Sequence, residues 1–169
     1  MEVIIRKGRK EDITSLHHLV SELAMFEKAP KEVTNTISEM EEDGFGKKPV
    51  FEFHVAEVDG RIVGIALYFI KYSTWKGKGL YLDDLIVTEH MRGKGIGKKL
   101  FDAYMEEAKH IGAKQVHWQV LDWNTPAIDF YKKVGAKIDA EWLDCKLTEK
   151  QINQYPNQQS RFSNSAVHR

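Results

Sequence analysis

Between Leu85 and Leu100 the chain reads Leu-Ile-Val-Thr-Glu-His-Met-Arg-Gly-Lys-Gly-Ile-Gly-Lys-Lys-Leu. An apolar strand pattern ends there, and Arg92-Gly-Lys-Gly-Ile-Gly97 leads straight into a helical one. Gly93, Gly95 and Gly97 let the backbone turn tightly with its N–H groups exposed. The helix start adds unpaired donors and partial positive charge. Arg92, Lys94, Lys98 and Lys99 add cations. Together these suit the binding of a pyrophosphate. The stretch is not a P-loop, since Gly97-Lys98 is followed by Lys99 rather than Ser or Thr. Nor is it a dinucleotide fingerprint, since Lys98 stands where a third glycine is needed. The plain alternative is a Gly-rich turn with solvated lysines.

A second set of residues could handle a cation. Asp83 and Asp84 fall in a strand pattern, where successive side chains alternate faces, so only one of them is expected to point into a given cleft. Glu27, Trp75, Glu141 and Trp142 have the chemistry of an acidic, aromatic pocket for a cationic substrate. The seven histidines show no metal-binding spacing such as H-E-x-x-H, so no metal is implied. His17 and His18 fall on a helix, and His54 and His117 on polar phases of strands, which predicts surface or site-supporting positions for them. Cys145, the single cysteine, can form no intramolecular disulfide and points to a reducing, cytoplasmic setting.

The elements that must position these groups are legible from periodicity. Strands are expected at 2–7, 51–58, 61–72, 79–87 and 114–121, with a last one within 136–147. Asp59-Gly60 is a hairpin signal between the second and third. Helices are expected at 11–26, 36–43, 95–111 and 126–134. Thr36 and Glu39 are placed as a capping box, and Gly44, Gly112 and Gly135 as stops. The order predicts an α/β fold with a mixed sheet flanked by helices. A length of 169 residues suits one domain, expected over 1–150. A polar tail follows at 151–169, rich in Gln, Asn and Ser. The formal net charge of zero argues against a general nucleic-acid binder. No apolar run is long enough to span a membrane.

Arg92-x-x-Gly95-x-Gly97, together with the element order, resembles the GCN5-related N-acetyltransferase (GNAT) superfamily from residue 2 to about 147. Further stretches resemble its spermidine/spermine N-acetyltransferase group: Leu23-Ala-Met-Phe-Glu-Lys28, Asp43-Gly-Phe-Gly46, Leu80-Tyr-Leu-Asp-Asp84 and Phe130-Tyr-Lys132. Tyr72-Ser-Thr-Trp-Lys-Gly77 and Asp122-Trp-Asn124 are most similar to the thialysine-acetylating branch.

The resemblance implies an acetyl-CoA-dependent amine N-acetyltransferase, by direct attack in a ternary complex. Leu85, Ile86, Val87, Arg92, Gly93, Lys94, Gly95, Ile96, Gly97, Lys98, Asn124, Ala127 and Tyr131 would hold acetyl-CoA. Tyr131 would be the general acid for the leaving thiolate. Removal of the amine proton falls to Asp83 or Asp84; the family assigns it, through water, to the first of the pair, usually Glu. Phe26, Glu27, Trp75, Asp83, His117, Glu141 and Trp142 would contact a small cationic amine, lysine-like or a short diamine. Ser73 stands where polyamine-specific members carry a carboxylate, which argues against a long polyamine. The group forms homodimers. A spermidine/spermine acetyltransferase and a non-catalytic acyl-CoA-binding module are the alternatives.

Overall fold

A computed structural model describes residues 2–155, which fall in two compact units divided between Leu121 and Asp122. The first unit holds a five-stranded sheet in the order β1-β2-β3-β4-β5. Its strands are β1 (Ile4–Lys7), β2 (Glu52–Val58), β3 (Arg61–Ser73), β4 (Gly77–Val87) and β5 (Val116–His117). The first four pair antiparallel, and β5 joins β4 in parallel. The β2–β3 turn is built as expected: Asp59 and Gly60 both have positive φ, which matches the strand twist.

One face of the sheet packs under α1 (Ile13–Phe26) and α2 (Ile37–Phe45), where Ile13, Leu16, Leu19 and Met40 meet Phe53, Val55, Ile65, Leu67 and Ile86. The alternate residues Ala66 and Tyr68 point to the other face, covered by α3 (Ile96–His110). There Tyr68 packs against Tyr104, whose hydroxyl donates to the Leu80 carbonyl at 2.7 Å. His54 lies in this layer too. Contrary to its polar strand phase it is buried, with Nδ1 3.0 Å from the Tyr68 hydroxyl, and burial pushes its pKa down. The start of α1 is tied to the sheet by Arg6, which donates to both oxygens of Asp12 and to Glu57. The guanidinium holds the buried Asp12 carboxyl below its usual range.

Two expected boundaries differ. Thr36 and Glu39 form the capping box of α2, but Gly44 does not stop that helix; it runs to Phe45. A Cβ at Gly44 would lie 2.8 Å from the Phe51 ring, so the glycine serves close packing rather than termination. The strand expected over 114–121 shortens to β5, because its ladder to β4 ends at Tyr81–His117.

The second unit contains α4 (Thr125–Lys133), ended at Gly135 with φ +87°, and a short α5 (Glu149–Asn153) capped by Thr148. The strand expected within 136–147 does not form. An alternating pattern becomes a strand only beside a partner backbone, and no ladder includes these residues. Trp142 and Leu143 are 70% and 88% exposed. The polar tail beyond Tyr155 lies outside the described residues.

Candidate active site

The turn between β4 and α3 has the geometry its glycines suggested. Gly93 (φ +74°) and Gly95 (φ +77°) both adopt the left-handed conformation, and a Cβ at either would project into open space. Apart from their chain neighbours, no heavy atom among the described residues lies within 4 Å of those positions, so the backbone is open to a ligand. Gly95 is also the N-cap of α3 and supplies no side chain to satisfy the first-turn N–H groups; the first turn carries no acidic residue. Those donors therefore favour an anion. Gly97 faces Val87 at an ordinary contact distance.

The cations around the turn are not equally free. Arg92 Nε donates to the Val87 carbonyl at 2.9 Å, and its guanidinium carbon lies 5.0 Å from the centre of the Phe26 ring. Lys98 reaches Asp102 one turn along α3 at 2.5 Å. Lys94 lies 3.5 Å from the Met91 sulfur. Because β5 accompanies β4 only at Leu80 and Tyr81, β4 continues through Leu85–Val87 with no strand on that side among the described residues. The Ile86 side chain is in the core, so only its backbone is available to a ligand.

A cavity of about 500 Å³ opens between α1, α2 and the sheet, within the usual size of a small-molecule site. Val20, Leu23 and Ala24 form apolar wall, while Glu27, Glu32, Asp43, Asp83 and Asp84 bring five carboxyl groups. Among the described lining residues there is no Lys or Arg.

The placement of both aspartates corrects the alternating-face expectation. Leu67 pairs with Asp84 and Tyr68 with Leu82, so Asp83 is the extra residue of a β-bulge. Leu82 thus shares the α3 face with Tyr68, whereas Asp84 shares the α1 face with Leu67, and the bulge turns Asp83 into the same cavity. Burial, then the neighbouring Asp83 and Glu27 charges, pushes Asp84 up to about 7. Burial alone raises Asp83 and Glu27.

This carboxyl-lined cavity and the glycine turn lie in the part of the chain that matches a known family model. The model described as "Acetyltransferase (GNAT) family" matches residues 13–136. The chain belongs to the GNAT acetyltransferase family.

The chain is similar to the thialysine N-epsilon-acetyltransferase of Bos taurus, 37% identical over 153 residues, covering 85% of this chain and 90% of the relative. It is 30% identical to the thialysine N-epsilon-acetyltransferase of Caenorhabditis elegans over 159 residues, covering 92% and 96%. Among solved structures, an integron cassette protein from the V. cholerae mobile metagenome superposes with a TM-score of 0.73 at 23% identity, covering 90% of this chain and 96% of the other. The mixed sheet flanked by helices is thus the GNAT fold, and this GNAT protein is an N-acetyltransferase.

Other expected site residues take separate places. Phe26 stacks on Arg92 and is not among the cavity lining. Trp75 sits at the tip of the β3–β4 hairpin, 74% exposed, where the Ser73 hydroxyl accepts from its N–H at 3.2 Å. His117 on β5 lies 2.8 Å from Lys71 and edge-on to Tyr81, outside the cavity lining. In the second unit, Asn124 caps α4, accepting from the Ala127 N–H at 3.4 Å. Tyr131 on α4 is buried, and burial pushes its phenol up to about 12. Glu141 and Trp142 are exposed on irregular backbone.

His17, Glu32 and Asp43 line the cavity and were not singled out for it by sequence. His17, read from sequence as a surface or site-supporting residue, reaches the lining from α1. Asp43 belongs to the Asp-Gly-Phe-Gly stretch, a signal that could have marked it. Glu32 had none, since its place depends on a single 3-10 turn, Pro30–Glu32. Among the described residues no group of three or more His, Cys, Asp or Glu is placed to hold a metal ion. No helix among them is long and apolar enough to cross a membrane.

Proposed function

We propose that this GNAT enzyme transfers the acetyl group of acetyl-CoA to a primary amine of a short, lysine-like cation, within a ternary complex. The observation that carries the substrate class is the cavity: five carboxyl groups, apolar walls and no lining Lys or Arg among the described residues. Such a lining attracts ammonium groups and repels anions. The resemblance, in which Ser73 stands where polyamine-specific members carry a carboxylate, favours a short amine over spermidine. The thialysine-acetylating activity named for its relatives supports the same reading.

The open backbone at Gly93 and Gly95, with the uncapped start of α3, fits the pyrophosphate of acetyl-CoA. Acetyl-CoA supplies an activated thioester. An alkylammonium with a pKa near ~10.4 must lose its proton to become a nucleophile. Asp84, near neutrality, accepts that proton directly or through water, while Asp83 and Glu27 hold the remaining positive charge. The amine nitrogen then bonds to the acetyl carbon, the carbon–sulfur bond breaks, and Tyr131, the general acid by resemblance to the family, protonates the departing thiolate; the second proton lost from the nitrogen as the amide forms returns to the tyrosinate through solvent. A phenol pushed up to about 12 is fully protonated at neutral pH and so carries the proton to be donated.

Steady-state kinetics on thialysine, lysine, ornithine, putrescine and spermidine tests the substrate assignment. The expected result is a higher kcat/KM for the lysine-like amines than for spermidine. Spermidine as the best substrate would overturn the substrate class and leave the acetyltransferase assignment standing.

A further inference from the structure

Helix α1 carries two ridges with different partners. Val20, Leu23, Ala24 and Glu27 line the amine cavity. Glu22 and Phe26, four residues apart and so stacked on one strip of the helix, instead grip the segment leading into the glycine turn. The Glu22 carboxylate accepts from the Thr88 hydroxyl with both oxygens, at 2.9 and 3.1 Å, and from the Glu89 N–H at 2.8 Å. The Phe26 ring lies under the Arg92 guanidinium, whose Nε donates back to the Val87 carbonyl. Both ends of 88–92 are therefore fixed, one to each turn of the C-terminal half of α1.

The Thr88 N–H donates to the Val63 carbonyl at 2.9 Å and Met91 is buried, so the backbone is held as well, but the 3-10 turn at Glu89–Met91 has no side-chain cap of its own and Glu22 is the side chain that ties it to α1. Two donors, the Thr88 hydroxyl shared between both oxygens and the Glu89 N–H, converge on the one Glu22 carboxylate, and such hydrogen bonds are stronger than neutral ones and directional. Glu22 lies across 66 residues of sequence from Thr88, so the link is purely tertiary.

We infer that Glu22, assisted by Phe26, is a positioning residue for the cofactor: it fixes the glycine turn relative to the amine cavity, so that one helix sets the register of both substrates. This rests on the reading of the glycine turn as the pyrophosphate site.

The test compares acetyl-CoA with S-acetylpantetheine, a donor that lacks the pyrophosphate. Wild-type enzyme, Glu22→Ala, Glu22→Gln and Phe26→Leu are assayed on both donors, with the amine saturating and folding checked by thermal melts. Glu22→Ala should lower kcat/KM for acetyl-CoA roughly tenfold, while S-acetylpantetheine changes by less than about twofold. Glu22→Gln, which keeps one acceptor oxygen, should fall between the two, and Phe26→Leu should act in the same direction. Preserved donor discrimination in Glu22→Ala and Phe26→Leu, whether both donors keep their rates or lose them equally, overturns the inference. A wild-type enzyme that does not prefer acetyl-CoA overturns the pyrophosphate reading, and the inference falls with it; the wild-type comparison alone separates those two failures.

Discussion

Asp83 and Asp84 are consecutive residues of β4, and both open into the same cavity. A regular strand would send one of them to the α3 face. The bulge opposite Leu67 and Tyr68 instead adds one residue to β4, so two carboxyl groups share a confined space near Glu27. Each charge makes the next harder to form, and a cation is what relieves that repulsion. The site is thereby prepared for an ammonium group by its own backbone irregularity.

The titration of Asp84 gives the first prediction. For activity, kcat/KM for the amine should rise along a limb with an apparent pKa near 7, and Asp84→Asn should remove that limb. For stability the sign is opposite. The folded-state pKa lies above the ordinary value of 3.8, so the folded protein binds the proton more tightly. Stability is greatest below that ordinary value and declines as pH rises towards about 7. Asp84→Asn should therefore raise Tm at pH ~8 and change it little at pH ~4. Calorimetry at the two pH values checks this; an Asn variant less stable than wild type at the higher pH would contradict it.

The backbone approach at the glycine turn is tested by Gly95→Val. At φ +77° a β-branched residue is strained, and its side chain would enter the space left open beside the turn. Acetyl-CoA affinity measured by titration calorimetry should fall by roughly tenfold or more, since a loss of about 1.4 kcal/mol is tenfold. Unchanged affinity in a folded variant would remove the turn from cofactor binding.

Tyr131→Phe keeps the ring and deletes the proton donor. Turnover should drop ~10²–10⁴-fold where chemistry limits the rate, with acetyl-CoA affinity nearly intact. Wild-type turnover under those conditions would remove Tyr131 from the mechanism.

The chain should form a homodimer. Ile70, Tyr72 and Trp75 expose apolar surface on the long β3–β4 hairpin, as an interface would require. Light scattering should give twice the 19.5 kDa chain mass. A concentration-independent monomer would refute it.

Local chemistry was readable in the sequence wherever it depends on neighbours in the chain. The Asp59-Gly60 turn, the Thr36–Glu39 capping box and the left-handed Gly93 and Gly95 all follow from backbone rules that act over a few residues. So did the periodic faces of α1 and α3, because helical spacing alone places apolar residues on one side. The motifs around Arg92–Gly97 also carried the family. Tertiary structure decided what depends on distant partners. The bulge at Asp83 exists only through its pairing with β3, and it reversed the expected facing of an acidic pair. His54 was polar by strand phase yet buried, because Tyr68 from the next strand satisfies its ring nitrogen. The alternating residues of 136–147 form no strand, since alternation supplies a face and not a neighbour to bond with. Glu22, an ordinary solvent-phase residue by helical spacing, gained its two partners, Thr88 and Glu89, only when β4 ended beside α1. Periodicity records which way a side chain points along its own element; what it meets there is set by the packing of elements far apart in sequence.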